Sequence, residues 1–282
     1  MRESDLKDSA LVILGHGTDQ NAGSEAPVFQ HAGELRRRNL FGDVREAFWK
    51  QDPQILKVVP AISARRTFIV PLFVSEGFFS NVVIPRALGL SDQSTVATSQ
   101  SAVCYCRPIG THDSMTQVLL ARASAIIEQF PFPRAPRPED ITLFIAGHGT
   151  EKNENSRKPV EHQVGLIRKL NRYAAVHAIF LDEAPRIPDC YQLARTKNII
   201  VVPFFISDGL HVREDIPVLL GEPERIIVQR TAAGQAPWRN PTEKNGRRVW
   251  YTPAIGSEPH IADVILERVL EFPDATPPVG MI

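Results

Sequence analysis

One octapeptide occurs twice in this chain, its copies 132 residues apart. Residues 11–18 read LVILGHGT and residues 143–150 read LFIAGHGT, differing only at Val12/Phe144 and Leu14/Ala146. The same offset aligns Val70-Pro71-Leu72-Phe73 with Val202-Pro203-Phe204-Phe205, and Ile84-Pro85 with Ile216-Pro217. A period of that length is a whole domain, far beyond the roughly 20–50 residues of a solenoid unit. Two similar domains in tandem are therefore expected. The 282 residues are enough for each to bury its own core.

Within each half, short runs rich in Val, Ile and Phe alternate with amphipathic stretches. The strands expected in the first half are Ala10–Gly15, Val44–Phe48, Thr67–Ser75 and Ala102–Arg107. Those expected in the second are Ile141–Gly147, Ala175–Leu181, Asn198–Ser207 and Arg247–Thr252. Their nearly unbroken apolar character suits parallel strands covered on both faces. Asp113–Phe130 and Asn155–Tyr173 carry apolar residues at helical spacing. The reading is α/β: two tandem similar domains, each a small parallel sheet flanked by helices through right-handed crossovers, with a cleft between them. The proline-rich stretch FPFPRAPRPED (130–140) reads as a stiff connector, which puts the domains at 1–136 and 137–282. Tyr105 and Tyr251 match at an offset of 146, so about fourteen residues have been inserted in the second half. The segment 232–248, a surface loop or an added hairpin, is where they are expected.

Lys plus Arg equals Asp plus Glu, 32 of each, so no basic field recruits nucleic acid. The run Arg36–Arg38 reads as a solvated helix face. Cys104, Cys106 and Cys190 make no disulfide framework and suit a reducing compartment, the first two as buried thiols on one strand face. The opening MRESDLKDSA has no apolar core for a signal peptide, and no apolar run reaches the roughly 20 residues that span a bilayer. A cytoplasmic protein without membrane or nucleic-acid partners is expected.

Chemistry concentrates at strand ends. Gly147-His148-Gly149-Thr150 follows an apolar strand and leads through a polar turn into a helix, the carboxyl edge where parallel sheets bind ligands. Ser207-Asp208-Gly209-Leu210-His211 follows the third strand of the same half, and Asp182-Glu183 the second. Two imidazoles on one rim can hold a divalent metal ion, or one can ligate while the other takes a proton. A carboxylate beside them can ligate or orient a histidine. In the first half Phe79 stands where His211 stands, and Lys50-Gln51 where Asp182-Glu183 stand. That half keeps only His16.

The GHGT after the first strand, the acid after the second and Phe204–Pro217 (FFISDGLHVREDIP) after the third together resemble sirohydrochlorin chelatases of the CbiX and SirB type. So does Ala254-Ile255-Gly256 after the last strand. The resemblance covers both halves, as in the long form of the family. It implies ATP-independent insertion of Co2+ or Fe2+ into sirohydrochlorin, with the metal as substrate and no permanently bound cofactor, by a monomer of two domains whose metal and macrocycle lie between the halves. It also implies metal binding and proton removal by His148 and His211, with Asp182 as a further ligand and Glu183 as catalytic assistant. Gly147, Gly149, Ser207, Asp208, Gly209 and Phe79 would contact the macrocycle. Arg213 or Lys152 would grip its carboxylate rim, Phe78 and Phe79 would offer an apolar wall, and His16 would be auxiliary. The sequence departs from the family in carrying its histidine pair in the carboxyl-terminal half. It also lacks a Cys-rich or His-rich tail, and DATPPVG (274–280) reads as a loose end. A histidine phosphatase is disfavoured because Gly15 and Gly147 stand where an Arg would precede the His, and no P-loop motif occurs. The remaining alternative is a non-catalytic metal or tetrapyrrole carrier on the same fold.

Overall fold

The structure is a computed structural model that describes residues 6–18, 23–90, 95–97, 101–151 and 154–272. Lys152 and the DATPPVG segment fall outside these residues. The chain divides into two compact units, Met1–His112 with Pro259–Ile282, and Asp113–Glu258.

In the first unit β1 (Ser9–Gly15), β2 (Asp43–Phe48), β3 (Arg66–Pro71), β4 (Thr95–Ala97) and β5 (Ala102–Tyr105) form one sheet in the order β2-β1-β3-β5-β4. All pairings are parallel except that of β4, which closes the edge antiparallel to β5. Helices α1 (Ala26–Arg38), α2 (Ile55–Val58) and α3 (Ile84–Ala87) lie in the connections. The second unit repeats the plan with β6 (Ile141–Gly147), β7 (Ala175–Phe180), β8 (Asn198–Pro203), β9 (Thr242–Lys244) and β10 (Arg247–Tyr251), in the order β7-β6-β8-β10-β9. Its helices are α4 (Met115–Gln129), α5 (Lys158–Lys169), α6 (Cys190–Leu193), α7 (Ile216–Leu219) and α8 (Glu224–Ala232). The central strands β1 and β6 are buried at every residue, hence their continuous apolar sequence.

All eight expected strands are present. Two are shorter than their apolar runs suggest, because β3 and β8 stop at Pro71 and Pro203, where a proline supplies no donor to the ladder. The unexpected strands are the three-residue edges β4 and β9. Their presence in both units corrects the position of the insertion. The extra residues lie before β9, where they form α8 and a return segment, and the β9–β10 hairpin belongs to the shared plan. Ile227 and Trp238 bury into the second core, and the Trp238 indole donates to Val249 O at 3.2 Å. The insertion is therefore packed structure rather than a surface loop.

The compact units also differ from the sequence halves. Helix α4 ends the first repeat in sequence but packs on β8, β10 and α5 of the second unit, burying Val118, Leu119, Ala123 and Ile126. The last helix, α9 (Ile261–Leu270), packs on β3 and α1 of the first unit. There Arg268 is buried and donates to Pro108 O (2.9 Å) and Thr111 Oγ1 (2.7 Å). The proline-rich connector does not float as a spacer; it lies along β10. Phe130 O accepts from the Trp250 indole at 2.9 Å, and Phe132 O from Arg248 at 3.1 Å. The contact boundary consequently falls at 112/113 and 258/259. Among the described residues no helix is long and apolar enough to cross a membrane. All three cysteines are free and buried, as expected. The Arg36–Arg38 run is a solvated helix face, as expected, with Arg36 and Arg37 exposed; Arg36 pairs with Glu46, and Arg38 with Glu34 and Asp263.

Candidate active site at the strand ends of β6 and β8

In each sheet the chain runs from the central strand to one side and then crosses to the other. The loops after β6 and β8 therefore part at the carboxyl edge, and such a switch point is where open parallel sheets hold ligands. His148 follows β6 directly. Two glycines make its position possible. A Cβ on Gly147 would meet Val160 Cγ2 at 2.7 Å, and Gly149 takes φ +71 with Glu183 Cγ 2.7 Å from where its Cβ would be. The carbonyl of His148 accepts from Leu181 N (3.0 Å) and Asp182 N (3.1 Å), which ties this loop to the loop after β7.

His211 opens a π-helical turn, His211–Asp215, that continues into α7. Ile216 N–H bonds back to His211 O, and Pro217, the next residue, has no N–H to give to Val212 O. A buried carbonyl needs a partner, and the Tyr251 hydroxyl supplies it at 2.7 Å. The turn is thus anchored to β10. Asp208 adds a second tie by accepting from Ala254 N at 2.7 Å.

These elements bring the two imidazoles together edge to face, with centroids 4.9 Å apart and planes at 88°. Each has an acceptor at Nδ1. His211 Nδ1 lies 2.6 Å from Asp215 Oδ2. His148 Nδ1 lies 2.8 Å from Gly149 O and 3.3 Å from Asp182 Oδ2. Acceptors at Nδ1 assign the proton there and leave Nε2 of both rings with a free lone pair, the arrangement of a metal ligand or a base. Both histidines and both aspartates are exposed, so an incoming ligand reaches them.

The structure separates the two acids after β7. Asp182, expected as a third ligand, instead sits at the Nδ1 side of His148. Glu183, expected as a catalytic assistant, is turned under the loop. Its Oε1 accepts from Thr150 N at 2.9 Å and its Oε2 from Arg157 Nε at 2.9 Å, and its side chain is only 13% exposed. Arg157 also stacks over the Phe180 ring at 4.5 Å. Among the described residues no group of three or more His, Cys, Asp or Glu is assembled to hold a metal. Of the residues expected to contact a macrocycle, Gly147 and Gly149 shape the His148 loop. Ser207, Asp208 and Gly209 form the approach to the π-turn, and Gly209 O accepts from Val212 N and Arg213 N. Arg213 is exposed on that turn. Sequence reasoning passed over Asp215, although His-x-x-x-Asp at a helix start is a visible i,i+4 pair. It also gave no role to Tyr251 or Arg157.

The first unit keeps the scaffold and changes the groups. His16 Nδ1 meets Gly17 O at 2.9 Å, and Gln51 takes the place of Glu183 by accepting from Thr18 N at 2.9 Å. Phe79 opens the matching π-turn, Phe79–Val83, but its ring is packed on His16 (5.2 Å), Trp49 (5.5 Å) and Phe73 (6.3 Å). Phe78, by contrast, is 73% exposed. Of the two phenylalanines expected as an apolar wall, Phe78 is exposed and Phe79 is half-buried.

The family model described as CbiX matches residues 10–126 and 142–272. The chain is 39% identical over 287 residues to a probable sirohydrochlorin cobaltochelatase of Halobacterium salinarum, an alignment that covers 96% of this chain and 93% of that one. It is 30% identical over 141 residues to a sirohydrochlorin cobaltochelatase of Methanothermobacter thermautotrophicus, covering 46% of this chain and 90% of the other. SirB from Bacillus subtilis, solved with Fe3+, has a similar fold (TM-score 0.65, 17% identity, 93% of this chain and 94% of that one). So does a Deinococcus radiodurans protein described as multi-domain, with structural similarity to chelatases and two additional novel domains (TM-score 0.75, 24% identity). That match covers 92% of this chain, which spans about half (54%) of the larger protein. One model matching both repeats, together with near-full-length similarity to a relative, places the chain in the CbiX family.

Proposed function

We propose that this protein inserts a divalent metal ion, Co2+ or Fe2+, into sirohydrochlorin without ATP, at the β6–β8 strand ends. The observation that carries this reading is the His148–His211 pair, two imidazoles 4.9 Å apart whose Nδ1 atoms are both taken by acceptors. The relatives named as cobaltochelatases support the substrate class. Insertion replaces two pyrrole N–H protons by one M2+, so two protons must leave as the metal arrives. An imidazole Nε2 can serve both needs in turn, holding the ion and, once the ion has passed to the pyrrole nitrogens, taking a proton on the vacated lone pair. Asp182 and Asp215 at the far nitrogens keep each ring in the useful tautomer and offset the charge of the imidazolium that forms. The exposure of Arg213, on the same turn as His211, supports a role for its guanidinium at the carboxylate rim of the macrocycle.

The test is metal insertion followed by the change in macrocycle absorbance, beside an uncatalysed control. His148→Ala and His211→Ala are each expected to lower the rate at least about 100-fold, the lower range for a positioned acid–base group. His16→Ala should lower it far less. A parent protein that never exceeds the control with either metal, yet still binds metal or tetrapyrrole, would make it a carrier.

A further inference from the structure

We propose that the second unit carries an anion site at the edge of its sheet away from the histidine pair. It is a cavity between the end of α5 and the start of β7 that takes a small multivalent oxyanion, either phosphate or a polycarboxylate. The cavity measures about 260 Å3 and is lined by Arg168, Arg172, Arg195, His177 and Tyr173, among others. Among the described residues none of the three guanidinium groups forms an ion pair. Arg168 donates Nε to Val176 O at 2.8 Å, which leaves its other donors unassigned. His177 stacks on Phe144 (5.5 Å, 24°), and its Nε2 is buried without a hydrogen-bond partner. Burial, followed by the charges of Arg168 and Arg195, holds the imidazole below its ordinary pKa, as a positive field with no counter-charge would.

The internal repeat supplies the control. In the first unit Arg36 likewise donates Nε to the edge strand, to Val44 O at 2.9 Å. Its fork, however, closes on Glu46, with Nη1 to Oε1 at 2.7 Å and Nη2 to Oε2 at 2.5 Å. Arg45, the counterpart of His177, pairs with Asp43 at 2.7 Å. At the 132-residue offset both acids become alanines, Asp43 to Ala175 and Glu46 to Ala178. The same offset puts Arg172 where Leu40 stands and Arg195 where Ser63 stands. One unit satisfies its edge arginine with its own carboxylates. The other has lost both acids, exchanged Arg45 for His177, gained Arg172 and Arg195, and has a concavity lined by them. Guanidinium forks match carboxylate and phosphate oxygens in geometry, so an external oxyanion fills the role that Glu46 and Asp43 play in the first unit.

The test is isothermal titration of the metal-free protein with inorganic phosphate and, separately, with citrate, at matched ionic strength so that general screening cancels. One anion per chain is expected, with a Kd below about 1 mM. The tighter of the two probes identifies the source. Ala175→Asp, which restores the first unit's acid, and Arg172→Ala should each weaken binding at least about tenfold, a difference of about 1.4 kcal/mol. Both substitutions lie at the opposite edge from His148 and His211, so their metal-insertion rates should stay at the parent value. The anion site and the chelatase reading therefore fail separately. Parent protein with no saturable heat up to about 10 mM, or variants that bind as the parent does, would overturn the proposal.

Discussion

Asp215 lies four residues beyond His211 and holds its Nδ1 at 2.6 Å, on a π-helical turn whose first-unit copy has Val83 and Phe79 at those two positions. The backbone device is present twice and the chemistry once. Even the support differs, since Tyr251 Oη bonds Val212 O, whereas among the described residues its counterpart Tyr105 Oη is buried without a partner. The same division holds one strand away, where Asp182 approaches His148 and the matching residue is Lys50. What separates the units is the set of carboxylates behind the imidazoles as much as the imidazoles themselves.

Asp215→Asn tests that point. The amide keeps the volume and can still bond Nδ1, but it carries no charge to offset an imidazolium and can present its donor to the ring, reversing the tautomer. The metal-insertion rate should fall about 10–100-fold, the usual cost of losing a partner that orients a histidine. Binding of the macrocycle itself, measured by fluorescence quenching, should change little. A rate equal to the parent's would mean that His211 needs no carboxylate.

Glu183 should behave differently. Gln51 already shows that an amide can accept from the backbone N–H at this place in the fold. Glu183→Gln should therefore keep most of the activity, within about threefold, because it keeps one of two hydrogen-bonded oxygens. Glu183→Ala leaves Thr150 N and Arg157 without their acceptor and should lower stability by about 1–3 kcal/mol. Denaturant midpoints measure the second effect and initial rates the first. A Glu183→Gln variant as inactive as His148→Ala would return Glu183 to the chemistry.

The sequence was most readable where physical constraints repeat. The central strands β1, β3, β6 and β8 are buried on both faces, so their Val, Ile and Phe runs had one interpretation, and the 132-residue offset pointed to two domains. The histidine pair was legible because His148 follows β6 directly and His211 lies in the connection that leaves β8. Three things were hidden. Helix α4 shows an apolar face but nothing in it says which sheet that face will cover, so the compact units crossed the sequence boundary. The acids at 182 and 183 are adjacent, and only Gly149, with φ +71 and no room for a Cβ beside Glu183, decides which one turns under the loop. The edge strands β4 and β9, three residues each, are too short to show alternation above background.

The cysteines give a prediction about alkaline pH. Burial first, then the nearby Asp189, pushes the Cys190 thiol from its ordinary 9.0 up to about 12. Below pH 9 the thiol is neutral in both states and contributes no pH dependence. Above pH 9 it ionises when unfolded but not when folded, so stability is lost progressively between pH 9 and about 12. The slope is about 1.4 kcal/mol per pH unit for one group. Cys190→Ala should flatten that part of the stability curve, as measured by urea unfolding at pH 8, 9.5 and 10.5. A curve with the parent's slope would show that Cys190 is not the titrating group.

The final prediction concerns the unit that lacks the pair. Position 79 occupies the same place on its π-turn as position 211, so Phe79→His places a second imidazole near His16. That alone should not create a metal site, because Lys50 stands where Asp182 stands and Val83 where Asp215 stands. Gly17 O still accepts at His16 Nδ1, but a lysine in place of Asp182 and a valine in place of Asp215 leave neither ring a carboxylate behind it. In a His148→Ala/His211→Ala background, Phe79→His should therefore bind Co2+ no better than that background does. Adding Lys50→Asp and Val83→Asp should produce saturable binding, seen as the visible absorption of ligated Co2+. Removing Phe79 from its contacts with Trp49 and Phe73 is expected to cost about 1–3 kcal/mol, so folding must be checked by circular dichroism before titration. If Phe79→His alone binds Co2+ as tightly as the variant that also carries Lys50→Asp and Val83→Asp, the carboxylates are dispensable and the two units differ by a single side chain.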